Sequence, residues 1–371
     1  MKHITYVFSG NRKNRYLNNN FEAREFFYGL DIFEKEEYML EIIEPEKSKS
    51  FIKKILLLID KIFKKILSLP VYMYDFLSIK NIKILMKTDK LILVNETTFC
   101  SLAPFLLLLK LFKKIDIYVF VMGLYSKKLS YKRIEKLHYF IIRVFNLSVT
   151  NLIFLGQGEL DRAKKVDKKN SSKFILFPFC VDAEFWKLSK NINLSERKEI
   201  LFVGNDGNRN PELLLEIVDR FKNIQFRAVT NIEEILLSDL PNLKVIKGSF
   251  GSKDLSDSDL KKIYNNSRLV LLPLKKSFQP SGQSVALQAM SCRRAVIISK
   301  TDGFWDPYNF SNNSEIFFVE ENSLEEWASV IEKVYYDDSL ISEVENSGNK
   351  LVADVYNLNE FEKKLLKILK L

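Results

Sequence analysis

The sequence predicts an α/β protein made of two doubly wound, Rossmann-like domains facing a central cleft. Three observations carry this. The chain has 371 residues, enough for two domains of ordinary size. Its composition, 47% apolar and 28% charged, is that of a folded globular protein. Short β-like runs alternate with helical ones in both halves, the pattern of parallel sheets with helices on both faces.

In the first half the strand runs are Ile4–Phe8, Met39–Ile43, Lys90–Val94, Ile117–Val121 and Leu152–Leu155. Helical patterns lie between them at Glu22–Glu34, Phe51–Leu69 and Lys127–Phe145. Phe174–Trp186 reads as a short strand and a Pro-containing connector. The second set has strands at Ile200–Val203, Gln225–Val229, Lys244–Ile246, Val270–Pro273 and Ala295–Ile298. Its helices are Pro211–Phe221, Ser258–Asn265, Ser284–Cys292, Leu324–Tyr336 and a closing Glu360–Leu371. The expected division is 1–178, a linker 179–198, a second domain 199–355, and a C-terminal helix 356–371 returning to the first domain. Ligands of such sheets bind outside the carboxyl ends of the strands, so the cleft between the halves is the expected site.

Composition also excludes several classes. Twelve glycines rule out Gly-rich or collagen-like architectures. Cys100, Cys180 and Cys292 lack Cys-x-x-Cys spacing, which argues against a disulfide framework or thiolate zinc site. His3 and His138 are the only histidines, so a multi-histidine metal site is out; His138, in the periodic run Ile134–Val144, reads as a helix-surface residue. Met1–Gly10 reads as a strand rather than a secretory signal. The apolar stretches Leu91–Leu109 and Ile115–Tyr125 are interrupted by Glu96 or too short for a bilayer span of about 20 residues.

The net charge of +10 is uneven: residues 1–178 carry +14 and residues 179–371 carry −4. An anionic partner is therefore expected for the first half alone. The densest basic element, Lys47–Leu69, has seven lysines and one aspartate. At about 100° per residue, Ile52, Ile55, Leu56, Ile59, Ile62, Phe63, Ile66 and Leu67 share one face. Lys53, Lys54, Lys61, Lys64 and Lys65 share the opposite face, and Pro70 ends the helix. This is the pattern of an interfacial membrane helix, and those five lysines are the expected membrane contacts; a core-packed helix with a solvated basic face has the same pattern. Nucleic acid is not an expected partner, because no helix-turn-helix, zinc finger or RNP-type aromatic pattern accompanies the charge.

Chemistry is concentrated in two segments. In Val270–Asp306 a buried strand ends at Pro273 and a loop runs through Pro280-Ser281-Gly282-Gln283-Ser284 into a helix. Gly282 permits close backbone approach, and the free amides at the helix start suit a diphosphate, with Ser281 and Ser284 adding hydroxyl donors. The residues alone are equally compatible with a plain Ser N-cap. In Ile200–Glu216 a strand runs into a polar turn with Gly204 and Gly207, and Pro211 opens a helix. Arg209 in that turn is placed to neutralise a phosphate leaving group, or is an ordinary surface arginine.

The order VGND-G-NR, K-G-S-F, I-Y-N-N-S-R, SGQSVALQAM and T-D-G resembles the retaining GT-B glycosyltransferases of family 4. Ala23-Arg24-Glu25-Phe26-Phe27-Tyr28-Gly29 and the Phe179–Phe185 connector are similar to that family too. The resemblance implies a UDP- or GDP-sugar donor held mainly by the second domain, an acceptor held by the first, and no required metal or cofactor. It implies donor contacts at Gly10, Gly204, Asn205, Arg209, Thr230, Gly248, Phe250, Ser281, Gly282, Gln283, Ser284 and Gln288. Arg209 and Gln283 take the catalytic roles, and Arg24, Tyr28 and Gly123 the acceptor side. Two glutamates eight positions apart in the family fall here on Pro280 and Gln288; Gln279 or Gln283 is the substitute for the first. The family's Gly-Lys-Pro becomes Arg293-Arg294-Ala295, and its N-domain catalytic histidine is replaced by the neighbourhood Met122-Gly123-Leu124.

Asp257-Ser258-Asp259 reads as a helix cap rather than a metal motif, and Trp186, Trp305 and Trp327 as packing residues. The resulting expectation is a glycosyltransferase peripheral to the cytoplasmic face of the cell membrane, acting on a lipid or lipid-linked glycan in cell-envelope glycolipid or polysaccharide synthesis. The competing expectations are a soluble glycosyltransferase or sugar-nucleotide epimerase of the same fold, and a binding module that no longer turns over.

Overall fold

A computed structural model describes the chain except residues 1, 20, 35–37, 46–52, 128, 130, 131, 189–192 and 249–254 and the side chains of residues 53 and 54. It divides into two compact units. One comprises Met1–Asn20, Phe27–Phe177 and Leu365–Leu371; the other comprises Phe21–Phe26 and Pro178–Lys364. Phe21–Phe26, ahead of the expected boundary at 178, belong to the second unit, and of the closing stretch 356–371 the residues Leu365–Leu371 belong to the first.

The first unit holds strands β1 (Lys2–Val7), β2 (Tyr38–Ile43), β3 (Lys90–Leu93), β4 (Asp116–Val121), β5 (Asn151–Phe154) and β6 (Phe174–Leu176). They form one parallel sheet in the order β2-β1-β3-β4-β5-β6. Central strands such as β3 are buried on both faces, so their runs read as continuously apolar. The order reverses between β1 and β3, the switch point where a doubly wound sheet opens a crevice.

Three helical expectations change here. The run Glu22–Glu34 forms two 3₁₀ turns, Glu25–Phe27 and Leu30–Glu34, rather than one helix. Tyr28 and Gly29 between them have φ of 55° and 72°, which no α-helix accommodates. Of the Lys127–Phe145 pattern, Lys132–Phe145 is a helix, and residues 128, 130 and 131 lie outside the described residues. His138, expected on the helix surface, is 1% exposed, with Nδ1 against the Leu67 carbonyl oxygen; burial pushes its pKa down. A helix over Glu96–Phe112 escaped the sequence reading because it is apolar around most of its circumference. Asn95 caps it, accepting from the Thr98 amide at 2.9 Å.

The second unit holds β7 (Glu199–Val203), β8 (Gln225–Thr230), β9 (Leu243–Lys247), β10 (Ser267–Leu272), β11 (Ala295–Ser299) and β12 (Phe317–Val319). Read from the β9 edge, the all-parallel order is β9-β8-β7-β10-β11-β12, with its switch point between β7 and β10. Helices Pro211–Arg220 and Leu324–Tyr335 cover one face of this sheet; Asp338–Val355 starts on that face with Ile341 and Val344 and ends in the core of the other with Val352. The Asp338–Val355 helix, capped by Asp337, was not anticipated. Gln283–Ser291 and Asp257–Asn266 lie on the other face, with Trp186 and Trp305 fully buried beside them. Ser256, not Asp257, caps the latter helix, accepting from the Asp259 amide at 3.0 Å; Asp257 and Asp259 complement the dipole in the first turn.

Candidate functional site

The second unit gathers its polar side chains at its switch point. The turn after β7 and the loop after β10 are joined by backbone hydrogen bonds: Asn210 N to Pro273 O at 2.9 Å, and Lys275 N to Asn208 O at 2.8 Å. The Asn208 amide adds side-chain bonds to Gln279 Oε1 at 3.0 Å and Ser281 Oγ at 2.8 Å. The Arg209 turn and the start of the Gln283 helix, expected to converge, are therefore fastened to each other.

Gly282 caps that helix with φ 80°, a left-handed conformation that suits glycine. No side chain takes a capping bond there, so Ser281 is not the plain N-cap that the residues alone allowed. Gln283, the first helical residue, is 4% exposed, and its Nε2 donor has no partner. A buried amide left without a partner costs about 1–3 kcal/mol, so an acceptor arriving at this helix start would find a donor already desolvated.

Arg209 is the most constrained member. Its guanidinium is 3% exposed; Nη1 donates to Asp206 Oδ2 at 2.8 Å and Nε to the Val203 carbonyl at 3.3 Å. Burial presses its pKa below the ordinary guanidinium value while Asp206 opposes the shift. Gly204 makes room for it: a Cβ at that position would stand 2.1 Å from Arg209 Nε. The arginine is thus stored beside the helix start on a carboxylate that an incoming anion can replace.

A second layer fixes the rim. Asn205 donates to the Gly248 carbonyl at 2.9 Å and its own oxygen takes the Asn231 amide. Thr230 Oγ1 donates to the Gly204 carbonyl at 2.6 Å. Gly204, Asn205, Thr230 and Gly248 thus share one network, whereas Phe250 lies outside the described residues. Ser284 is half-buried in the first turn of the helix.

Gln288 is engaged at both ends of its amide. Nε2 donates to Glu25 Oε1 at 2.9 Å, and Oε1 accepts from the Tyr264 hydroxyl at 3.3 Å. Glu25 also accepts from Trp186 Nε1 at 2.9 Å and the Asp182 amide at 3.3 Å. Burial raises this carboxyl to about 7, and its hydrogen bonds oppose the rise. Glu25 was part of the quoted AREFFYG run without a role of its own; a carboxylate amid aromatics was the available signal. Arg24 pairs with Asp182 at 3.3 Å, so it too belongs to this cluster.

In the first unit, Gly10 follows β1 at the switch point, exposed, with φ 77° and open space where a Cβ would stand. Neighbouring Ser9 Oγ accepts from Asn95 Nδ2 at 3.0 Å. Tyr28 is buried with its ring 4.8 Å from that of Phe120, and its carbonyl accepts from the Tyr6 hydroxyl. Gly123 donates its amide to Glu159 Oε1 at 3.0 Å, and Tyr125 donates to the same oxygen at 2.8 Å. Glu159 is fully buried and its carboxyl is raised to about 8, by burial first and by Glu96 in addition. The sequence reading missed this carboxylate, which holds the Gly123–Tyr125 loop.

The Lys53–Leu67 helix turns a different part of its surface outward than the sequence suggested. Leu56, Ile59, Phe63 and Leu67 pack on the core. Ile55, Leu58, Ile62 and Ile66 are exposed at 45–61%, in one stripe beside exposed Lys61 and Lys65. Lys64 lies with Nζ 3.3 Å from the centroid of Tyr72, while the side chains of Lys53 and Lys54 fall outside the described residues. Asp60, the single acid, is buried and accepts the Met73 and Tyr74 amides at 2.9 and 3.3 Å. Among the described residues, no helix is long and apolar enough to cross a membrane. None of them form a group of three or more His, Cys, Asp or Glu able to hold a metal ion.

Residues 197–337 match the family described as Glycosyl transferases group 1. No curated protein matches the sequence. Among solved structures, Anabaena HepE in complex with UDP and glucose is similar at TM-score 0.68, with 10% identity over 100% of both chains. Sucrose-phosphate synthase from Thermosynechococcus elongatus reaches 0.70 with 12% identity, covering 100% of this chain and 98% of that one. A glycosyltransferase from Rickettsia africae reaches 0.67 with 14% identity over the same shares. At such identities the likeness establishes the fold, and the matched segment contains the Arg209 turn and the Gln283 helix.

Proposed function

We propose that this chain, whose residues 197–337 match the family described as Glycosyl transferases group 1, transfers a sugar from a UDP- or GDP-sugar to a membrane lipid or lipid-linked glycan, with retention at the anomeric carbon. The observation that carries the donor half is the fastening of the turn bearing Arg209, through Asn208 and Asn210, to the loop that opens the Gln283 helix in the matched segment. The HepE structures with UDP and with UDP-glucose support a uridine nucleotide as the first donor to try.

In this reading the diphosphate takes the amides of Gln283 and Ser284, draws Arg209 from Asp206, and accepts the unpartnered Gln283 amide. The bond from anomeric carbon to phosphate oxygen breaks with its electron pair going to the diphosphate. The acceptor hydroxyl oxygen forms the new bond on the same face and its proton passes to the departing phosphate oxygen. Arginine and amides match the charge that develops on the leaving group, which lowers the barrier. With Gln288 committed to Glu25 and Tyr264, ribose recognition falls to the rim around Asn205, Thr230 and Gly248.

The lipid half rests on the exposed Ile55–Ile66 stripe and its lysines, suited to an anionic leaflet on the cytoplasmic face. Gly10 and Gly123 at the carboxyl edge of the first sheet are the proposed acceptor-side positions, and Tyr28 acts there through packing. The test is calorimetric titration with UDP, GDP and their sugars, followed by turnover of the tightest binder with extracted membrane lipid and with soluble sugar acceptors. Micromolar binding of one nucleotide and transfer to lipid are expected. Absence of nucleotide binding overturns the donor assignment, and transfer to soluble sugars alone overturns the lipid assignment.

A further inference from the structure

The first unit contains a cavity of about 560 Å³ that the transfer reaction does not use. It lies between the Lys132–Phe145 helix, the end of the Gln157–Val166 helix and the turn that follows. Its apolar wall is Phe140, Val144 and Leu147, with Phe140 55% and Leu147 61% exposed. Around that wall stand Arg143, Lys165 and Lys168. The carboxylate in the lining, Asp167, is buried and holds Asn146 Nδ2 at 2.8 Å and Asn170 Nδ2 at 2.9 Å, so it is turned away from any incoming cation. The chain leaves this region into the amino ends of β5 and β6, the sheet edge opposite to Gly10 and Gly123.

We propose that this cavity seats one anionic phospholipid, its phosphate among Arg143, Lys165 and Lys168 and its upper acyl carbons on Phe140, Val144 and Leu147. The proposal rests on the membrane-docking reading above and makes it specific to a second, pocket-like contact. An exposed apolar wall adjoining several cations complements a molecule with a hydrocarbon body and a negative head, and a free phosphate leaves the wall wet. Its position continues the proposed docking surface, since the Lys53–Leu67 helix packs on the Lys132–Phe145 helix through the Phe63 and Phe145 rings at 6.1 Å. Its edge of the sheet is the wrong one for an acceptor awaiting transfer, so the lipid anchors rather than reacts.

The test uses the full chain and dioctanoyl phosphatidylglycerol below its micelle concentration, titrated calorimetrically, with glycerol phosphate and dioctanoyl phosphatidylcholine as controls. Saturable binding of the anionic lipid is expected, at least tenfold tighter than either control. Lys165→Glu with Lys168→Glu, and separately Leu147→Ser, each weaken it at least tenfold with the melting temperature unchanged. Lys61→Glu with Lys65→Glu lowers sedimentation with anionic vesicles but leaves monomeric lipid binding intact, so failure of the docking helix is read separately from failure of the pocket. Absence of monomeric lipid binding, equal binding of glycerol phosphate, or indifference to both pocket variants overturns the proposal.

Discussion

The two sheets of this protein are similar scaffolds with opposite edges. Each has six parallel strands and one switch point. At the second unit's switch point, short polar side chains and backbone amides lock two loops together around a stored arginine and an unpartnered glutamine donor. In the first unit, a protonatable carboxylate holds the Gly123 loop, and unusual exposure lies on the flank, in apolar stripes edged by lysine. In the proposed reading, one edge holds a small, highly charged ligand and the other surface rests against something extended and anionic. A shared topology decides where a crevice opens, while side-chain chemistry decides what enters it.

The contrast breaks most readily at Arg209. Replacing it by alanine is expected to lower donor turnover about 10²- to 10³-fold while weakening nucleotide affinity far less, the range seen when one charge-stabilising donor is removed. Steady-state kinetics with the identified donor measures both; equal losses in affinity and turnover place Arg209 in ground-state binding alone.

The next effect concerns the carboxylate of the first unit. Glu159 has a folded-state pKa of about 8, raised above its ordinary value of 4.5. The folded protein therefore binds the extra proton, and stability is full below about pH 4.5 and is lost as pH rises toward 8. At about 1.4 kcal/mol per unit the loss is of order 3–5 kcal/mol. Glu159→Gln keeps the acceptor for Gly123 and Tyr125 and should flatten the decline between pH 5 and 8 in calorimetric melting. Protection of those two amides in hydrogen exchange should then no longer fall with pH. Glu25, raised to about 7, predicts a similar decline of about 3 kcal/mol for the second unit, ending near pH 7.

A smaller change is expected from Lys61→Glu with Lys65→Glu. At about 1 kcal/mol for each lysine near an anionic surface, charge reversal of the pair should weaken vesicle binding at least 30-fold. The effect should shrink as salt rises, with catalysis on a soluble acceptor unchanged. Smallest is Gln283→Ala, which removes a neutral donor and should raise the Michaelis constant for the donor about tenfold with no loss of stability, because its Nε2 bonds nothing in the unliganded protein.

Among the described residues, periodicity and composition sufficed for ten of the twelve strands at nearly their observed limits, since buried parallel strands are apolar runs between turn residues. The Arg209 turn and the Gly282 cap were legible for a related reason: glycine, proline and short polar residues mark where a strand hands over to a helix. The Glu96–Phe112 helix was not legible, because a helix buried around most of its girth loses the alternation that reveals it. Nor was the Glu22–Glu34 break, where the conformation of Tyr28 opposes the local pattern.

By itself the sequence determined the two sheets, the basic bias of the first 178 residues and the glycine at the start of the Gln283 helix, all properties of neighbours along the chain. Only the tertiary structure decided that Arg209 is held by Asp206 beneath Gly204, that Gln288 faces Glu25 across 263 positions of sequence, and which isoleucines of the lysine-rich helix remain in solvent. These depend on which side chains the fold brings within about 3 Å of each other, whether near or far along the chain, and hydrogen bonds and burial at that range have no periodicity to read.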